Sequence, residues 1–129
     1  MKDRPMRAIR GATTVESDSP ERIRHATREL LEAIVARNDF TSGDVISAIF
    51  TVTDDLRSEF PAHAARELGW LDVPLLCTME IPVPGSLARC IRGLLQSEST
   101  KACSEIRRVC LHGARTLRRS QSFWPLASY

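Results

Sequence analysis

Apolar residues change their spacing several times along the chain, and each change marks an element. Met6 to Val15 (MRAIRGATTV) mixes β-branched and small residues around Gly11, which predicts a first strand with basic side chains at Arg7 and Arg10. Asp18-Ser19-Pro20-Glu21 has the form of a helix start, with Ser19 as N-cap, Pro20 at the first helical position and Glu21 near the positive end of the dipole. Ile23, Ala26, Leu30, Leu31 and Ile34 then recur at helical spacing, so they form the buried stripe of an amphipathic helix that stops at Asn38. The run Val45 to Val52 (VISAIFTV) is β-branched and nearly continuous, bounded by the turns at 40–44 and 53–55, and reads as a buried strand.

Pro61 to Leu68 (PAHAAREL) predicts a short helix with Gly69 at its C-cap, and Val73 to Ile81 a strand closed by Pro82-Val83-Pro84-Gly85. Leu87 to Leu95 (LARCIRGLL) suits a helix or a strand equally, because so short an apolar run has no decisive period. Val109 to Leu111 is a further short strand. Helices and strands mixed in this way, without repeats or a linker, imply one α+β (mixed α/β) domain, a mixed β-sheet covered by helices. Residues 1–5 are expected to be an N-terminal extension, 6–119 the domain, and 120–129 a loose tail without periodicity.

Composition narrows the function. The 129 residues are 43% hydrophobic and 26% charged, ordinary globular usage that excludes a disordered or fibrous chain. No apolar run approaches the roughly 18 residues of a spanning helix, and no signal-peptide core follows Met1, so a soluble, cytoplasmic protein without a membrane partner is expected. Cys77, Cys90, Cys103 and Cys110 form no CxxC pair, and with His25, His63 and His112 they lack structural-zinc spacing; reduced thiols and no metal are expected. Residues 101–129 carry six Lys or Arg against one acid, yet no aromatic residue lies among the arginines at 107–119, only Phe123 and Trp124 beyond them, so nucleic acid is not an expected partner.

Nucleophile elbow, phosphate loop, dinucleotide fingerprint and HExxH motifs are all absent. Three patterns stand out by residue type: Arg7 with Arg10, the FPAHAAREL segment with Arg66, and Cys77 to Glu80 followed by Arg92. Taken singly each has a plain explanation, since a strand arginine is usually solvated or salt-bridged, Glu80 could be a surface acid, and Leu75 and Leu76 could be core.

Taken together, IRGATTVE at 9–16, FTVTDDL at 50–56, FPAHAARELGW at 60–70, VPLLCTMEIPVPGSL at 73–87 and RCIR at 89–92 resemble the small trimeric chorismate mutases of the mixed α/β class, the monofunctional bacterial type. The resemblance runs from about Met6 to Arg118 without obvious insertion. It implies a homotrimer built as a pseudo α/β-barrel, with sheet inside, helices outside and active sites in the clefts between subunits. It also makes LARCIRGLL a strand. The implied reaction is the Claisen rearrangement of chorismate to prephenate, in phenylalanine and tyrosine biosynthesis, which needs no cofactor.

Such a site must hold a flexible dianion in its compact conformer and stabilise charge building on the breaking ether oxygen. By resemblance Arg92 donates to the ether oxygen and a carboxylate, Arg10 binds the side-chain carboxylate, and Glu80 accepts from the ring hydroxyl, with Cys77 beside it. Phe60, His63 and Arg66 match the helix at the cleft mouth, and Ala62, Leu75, Leu76 and Leu117 its lining. Cys110 stands where the family commonly has a tyrosine that assists the carboxylate-binding arginine, and a thiol is a shorter, weaker hydrogen-bonding group. Gly93 replaces a bulky aliphatic residue beside Arg92, which predicts a looser strand. His63 stands where some relatives have lysine, 97–99 is more polar than the family strand end, and 118–120 departs from its Arg-Pro-Asp. These departures carry an alternative: a trimeric relative that binds chorismate-like dianions without efficient turnover.

Overall fold

The computed structural model describes residues 4–117; the tail predicted at 120–129 and the departure at 118–120 lie outside them. Five strands and two helices follow one another as β1 (Met6–Thr14), α1 (Pro20–Asn38), β2 (Val45–Val52), α2 (Ala62–Glu67), β3 (Leu75–Met79), β4 (Cys90–Glu98) and β5 (Val109–Cys110). They build one mixed sheet in the order β3-β2-β4-β1-β5. β4 runs antiparallel to both β1 and β2, while β3 is parallel to β2 and β5 to β1. The predicted α+β domain is therefore observed, and LARCIRGLL resolves as strand from Cys90 onward, where it lies between β1 and β2 and pairs with both, while 87–89 stay outside the sheet.

Both helices cover one face of the sheet. Ile9, Phe50, Leu95 and Val109 from the strands meet Leu30, Leu31 and Ile34 of α1 and Ala65 of α2. The predicted stripe of α1 is fully buried at Ile23, Leu30, Leu31 and Ile34, which at roughly 1.5–3 kcal/mol for each large aliphatic side chain removed from water is the main force docking the helix. The Ser19 hydroxyl accepts from the Arg22 backbone N–H at 3.2 Å and caps its start. The helix ends at Asn38, with Asp39 in the left-handed region (φ 57°) and its N–H on the Val35 carbonyl.

Asn38 does more than terminate that helix. Its buried side chain accepts from the Arg107 N–H at 2.7 Å and donates to the Arg107 carbonyl at 2.8 Å and to the Ile34 carbonyl at 3.0 Å. This clasp fixes the approach to β5 beside β1. Alanine there leaves part-buried backbone groups of residue 107 without their protein partner, so Asn38→Ala is expected to cost about 1–2 kcal/mol in denaturant unfolding. A loss under about 0.5 kcal/mol would show that the clasp is dispensable.

Neither α1 nor α2 covers the opposite face, although Ala114 and Leu117 of the 112–117 segment pack on its Ala12, Cys90 and Cys110 end. Strand alternation places Leu76, Ile49, Leu94 and Arg10 side by side across β3, β2, β4 and β1, and the next row reads Thr78, Thr51, Arg92, Ala12 and Cys110. Leu76 is 60% exposed, Ile49 40% and Leu94 38%. Gly93 faces the helices instead. Its strand is not loosened, because β4 is paired on both sides and the Phe50 ring occupies the space beside Gly93, 3.5 Å from where a Cβ would stand.

Candidate active site

Arg92 and Glu80 are neighbours on the uncovered face although twelve residues separate them. Glu80 directly follows β3, and its backbone N–H donates to the Val52 carbonyl at 2.8 Å, which carries the β2–β3 ladder one residue further. The carboxylate turns back over β2. One oxygen accepts from the Thr51 hydroxyl, and the other lies 3.6 Å from Arg92 Nε. Both side chains are largely shielded, at 16% exposure for Arg92 and 21% for Glu80, so their charges are screened less than those of a surface pair.

Arg92 also has thiols for neighbours. Cys90, two residues earlier on the same face, is buried in a small cluster with Ala12, Cys110 and Ala114, against which Leu87 and Leu117 pack. Burial raises the Cys90 thiol above its usual value, with the charge and hydrogen bond of Arg92 opposing the shift. A neutral, inert thiol there suits packing rather than nucleophilic chemistry. Among the described residues no cluster of three His, Cys, Asp or Glu side chains is placed to hold a metal ion.

Arg10 lies in the adjoining row, exposed, and lines a cleft of about 410 Å³ with Arg7, Ala8, Arg108 and Cys103. β5 brings Arg108 there: Cys110 pairs with Ala12, so one alternation back along each strand Arg108 and Arg10 come onto the same face. Reasoning from sequence missed Arg108, and it missed Thr51, whose place under Glu80 depends wholly on strand register.

A second group of predicted residues gathers elsewhere. Phe60, His63 and Cys77 line a cleft of about 390 Å³ with Arg57, Thr78 and Met79, at the β3 edge of the sheet. The His63 Nδ1 is 2.6 Å from a Glu59 oxygen, and its ring meets Phe60 edge-on at 5.5 Å. Glu59 is held below the usual carboxylate range, first by the Phe60 N–H and then by Arg24 and His63, against the effect of desolvation. Cys77 is half-buried and its thiol is raised by desolvation, which a hydrogen bond from the Ala62 backbone partly offsets.

The remaining residues divide. Ala62 and Leu75 are half-buried against the main core, whereas Leu76 points to the other face of the sheet and is exposed. Leu117 packs on the Cys90–Cys110 cluster. Arg66 is turned from the cleft, its guanidinium donating to the carbonyls of Trp70 at 2.6 Å and Leu71 at 2.9 Å. Within one chain the predicted residues thus fall into two groups: Arg10, Glu80, Arg92 and Cys110 on the face opposite α1 and α2, and Phe60, His63 and Cys77 at the β3 edge.

A five-stranded mixed sheet with α1 and α2 on one face, and a shielded Arg–Glu pair on the other, defines the class of the protein as a single α+β domain built on a mixed sheet. The sequence profile of the family described as chorismate mutase type I matches residues 6–121. The chain is 50% identical to chorismate mutase AroH of Thermus thermophilus over 114 residues, 88% of this chain and 93% of that protein. It is 42% identical to chorismate mutase AroH of Bacillus subtilis (strain 168) over 114 residues, 88% of this chain and 90% of that protein. The solved structure of a chorismate mutase from Clostridium thermocellum superposes with a TM-score of 0.84 at 44% identity, covering 85% of this chain and 98% of that one. The chain belongs to the type I chorismate mutases, a family of isomerases.

Proposed function

We propose that this protein converts chorismate to prephenate by holding the dianion in its reactive conformer and meeting the charge that grows on the ether oxygen with Arg92. The observation that carries this reading is the Arg92–Glu80 pair, a fixed cation and a fixed acceptor side by side in a shielded site. The rearrangement is unimolecular, so positioned charge is what a protein can contribute. In this reading Arg10 grips the side-chain carboxylate with its planar fork, and Glu80 accepts from the ring hydroxyl. Phe60, His63 and Cys77 close the far side, with Ala62, Leu75 and Leu117 as apolar lining. Arg66 and Leu76 would have to be recruited by assembly.

The same reading makes the protein a homotrimer with sites between subunits. Two features support it: the exposed row of Leu76, Ile49 and Leu94 on the sheet face opposite α1 and α2, and the separation of the predicted site residues into two groups. Activity per subunit should therefore fall on dilution below the concentration that splits the oligomer, and turnover by a verified monomer would sink the claim. No helix among the described residues is long and apolar enough to cross a membrane; the proposal includes a cytoplasmic enzyme of phenylalanine and tyrosine biosynthesis.

The direct test is loss of chorismate absorbance with purified protein, prephenate being identified afterwards. Cys110 favours attention to the alternative, a relative that binds without efficient turnover. Under the isomerase reading Cys110→Tyr changes kcat by less than about threefold, well under 1 kcal/mol in the barrier. A rise of about a hundredfold, roughly 2.7 kcal/mol, would favour the alternative instead.

A further inference from the structure

We infer that Thr51 is a positioning residue, whose hydroxyl holds the Glu80 carboxylate away from the Arg92 guanidinium so that both charges stay directed at the substrate. The inference rests on the assignment of Arg92 and Glu80 proposed above. A carboxylate and a guanidinium this close, and this well shielded, would ordinarily close into a bidentate pair with two N–H···O contacts near 2.8 Å. Here the contact at Arg92 Nε is longer: it stands 3.6 Å from Glu80 Oε1, an ion pair without a hydrogen bond at that atom.

Two contacts from β2 explain the separation. The Val52 carbonyl accepts the Glu80 N–H at 2.8 Å and so fixes the backbone, and the Thr51 hydroxyl donates to Oε2 and so fixes the carboxylate. Thr51 is itself constrained, because the register sets it between Arg92 on β4 and Thr78 on β3, and a β-branched side chain on a strand has little rotamer freedom. The hydroxyl thus takes one carboxylate oxygen and leaves the other facing Arg92 and the open face. Without it Glu80 can swing onto Arg92. A closed ion pair would spend the guanidinium charge on the carboxylate and withdraw the acceptor.

The test is steady-state kinetics on Thr51→Val, Thr51→Ser, Glu80→Gln and the double variant Thr51→Val/Glu80→Gln, with circular dichroism on each. Valine keeps the shape and removes the donor. It is expected to lower kcat about tenfold, the scale of a sub-ångström misplacement, with KM changed less than about twofold. Serine restores the donor and should return kcat to within about threefold of wild type. In the Glu80→Gln background the neutral amide cannot form the closed ion pair, so valine should cost nothing further. A Thr51→Val enzyme with wild-type kcat overturns the inference. So does a valine effect of equal size in the wild-type and Glu80→Gln backgrounds, since that would be merely structural. If valine disturbs the fold, Thr51→Ala in both backgrounds makes the same comparison. Full activity in Glu80→Gln would overturn the assignment and this inference together, whereas a crippled Glu80→Gln beside a fully active Thr51→Val overturns the inference alone.

Discussion

Arg92→Ala should lower kcat by about three orders of magnitude, roughly 4 kcal/mol in the barrier, while the protein stays folded. The size follows from where the guanidinium sits. Its side chain is only 16% exposed, so water cannot replace it cheaply as a charge donor, and a preorganised donor in such a site acts without reorganising. β4 is the central strand, paired on both sides, which fixes the base of Arg92 as rigidly as this sheet allows. Arg92→Lys should recover only part of the loss, because an ammonium is a point charge without the planar fork that reaches two acceptors at once. Chorismate turnover in matched preparations is the measurement. An alanine variant within about tenfold of wild type would remove Arg92 from the role proposed.

Gly11→Val should cost about 3 kcal/mol or more and is expected to be the most damaging single change to the fold. Gly11 lies in β1 between Gly93 of β4 and Val109 of β5, directly beneath α1. A Cβ there would stand 2.5 Å from Ile34 Cδ1 and 3.0 Å from Leu30 Cδ1. Both are fully buried in the main core, so neither can swing into solvent, and α1 would have to lift off the sheet. Urea unfolding followed by helix ellipticity would show the loss. A valine variant within about 1 kcal/mol of wild type would mean that the helix–sheet contact yields more readily than close packing allows.

These two residues also show how unevenly the molecule can be read from its chain. Gly11 could be seen as a small residue in a strand, but not as the seat of a helix that begins nine residues later. The Val73–Ile81 strand is shorter than predicted, Leu75–Met79, since the paired register with β2 spans only those residues, with single bonds from Pro74 and Glu80 at its ends. β4 runs beyond its apolar stretch to Glu98 because β1 pairs with it as far as Met6. Its last residues, Gln96, Ser97 and Glu98, are polar and carry no strand signal of their own.

For the candidate site the division is similar. Residue types drew attention to Arg10, Glu80 and Arg92, but each had a plain explanation taken singly, and only the resemblance of the combined segments gave them roles. Thr51 and Arg108 were not legible, since a threonine in a β-branched run and an arginine in a basic stretch resemble their surroundings. Arg66 could be placed on α2 from sequence, but the carbonyls that capture its guanidinium come from the turn after that helix.

Local chemistry by itself determined the periodic elements of this protein: β1, α1 with its Ser19 cap, β2, and the turns between them, because hydrophobic spacing and capping act within a few residues. Only the tertiary structure decided which residues share a row across the sheet. Register is set by the sum of packing on both strands of every pair, and a shift of one residue would have turned Thr51 and Arg92 to the helix side.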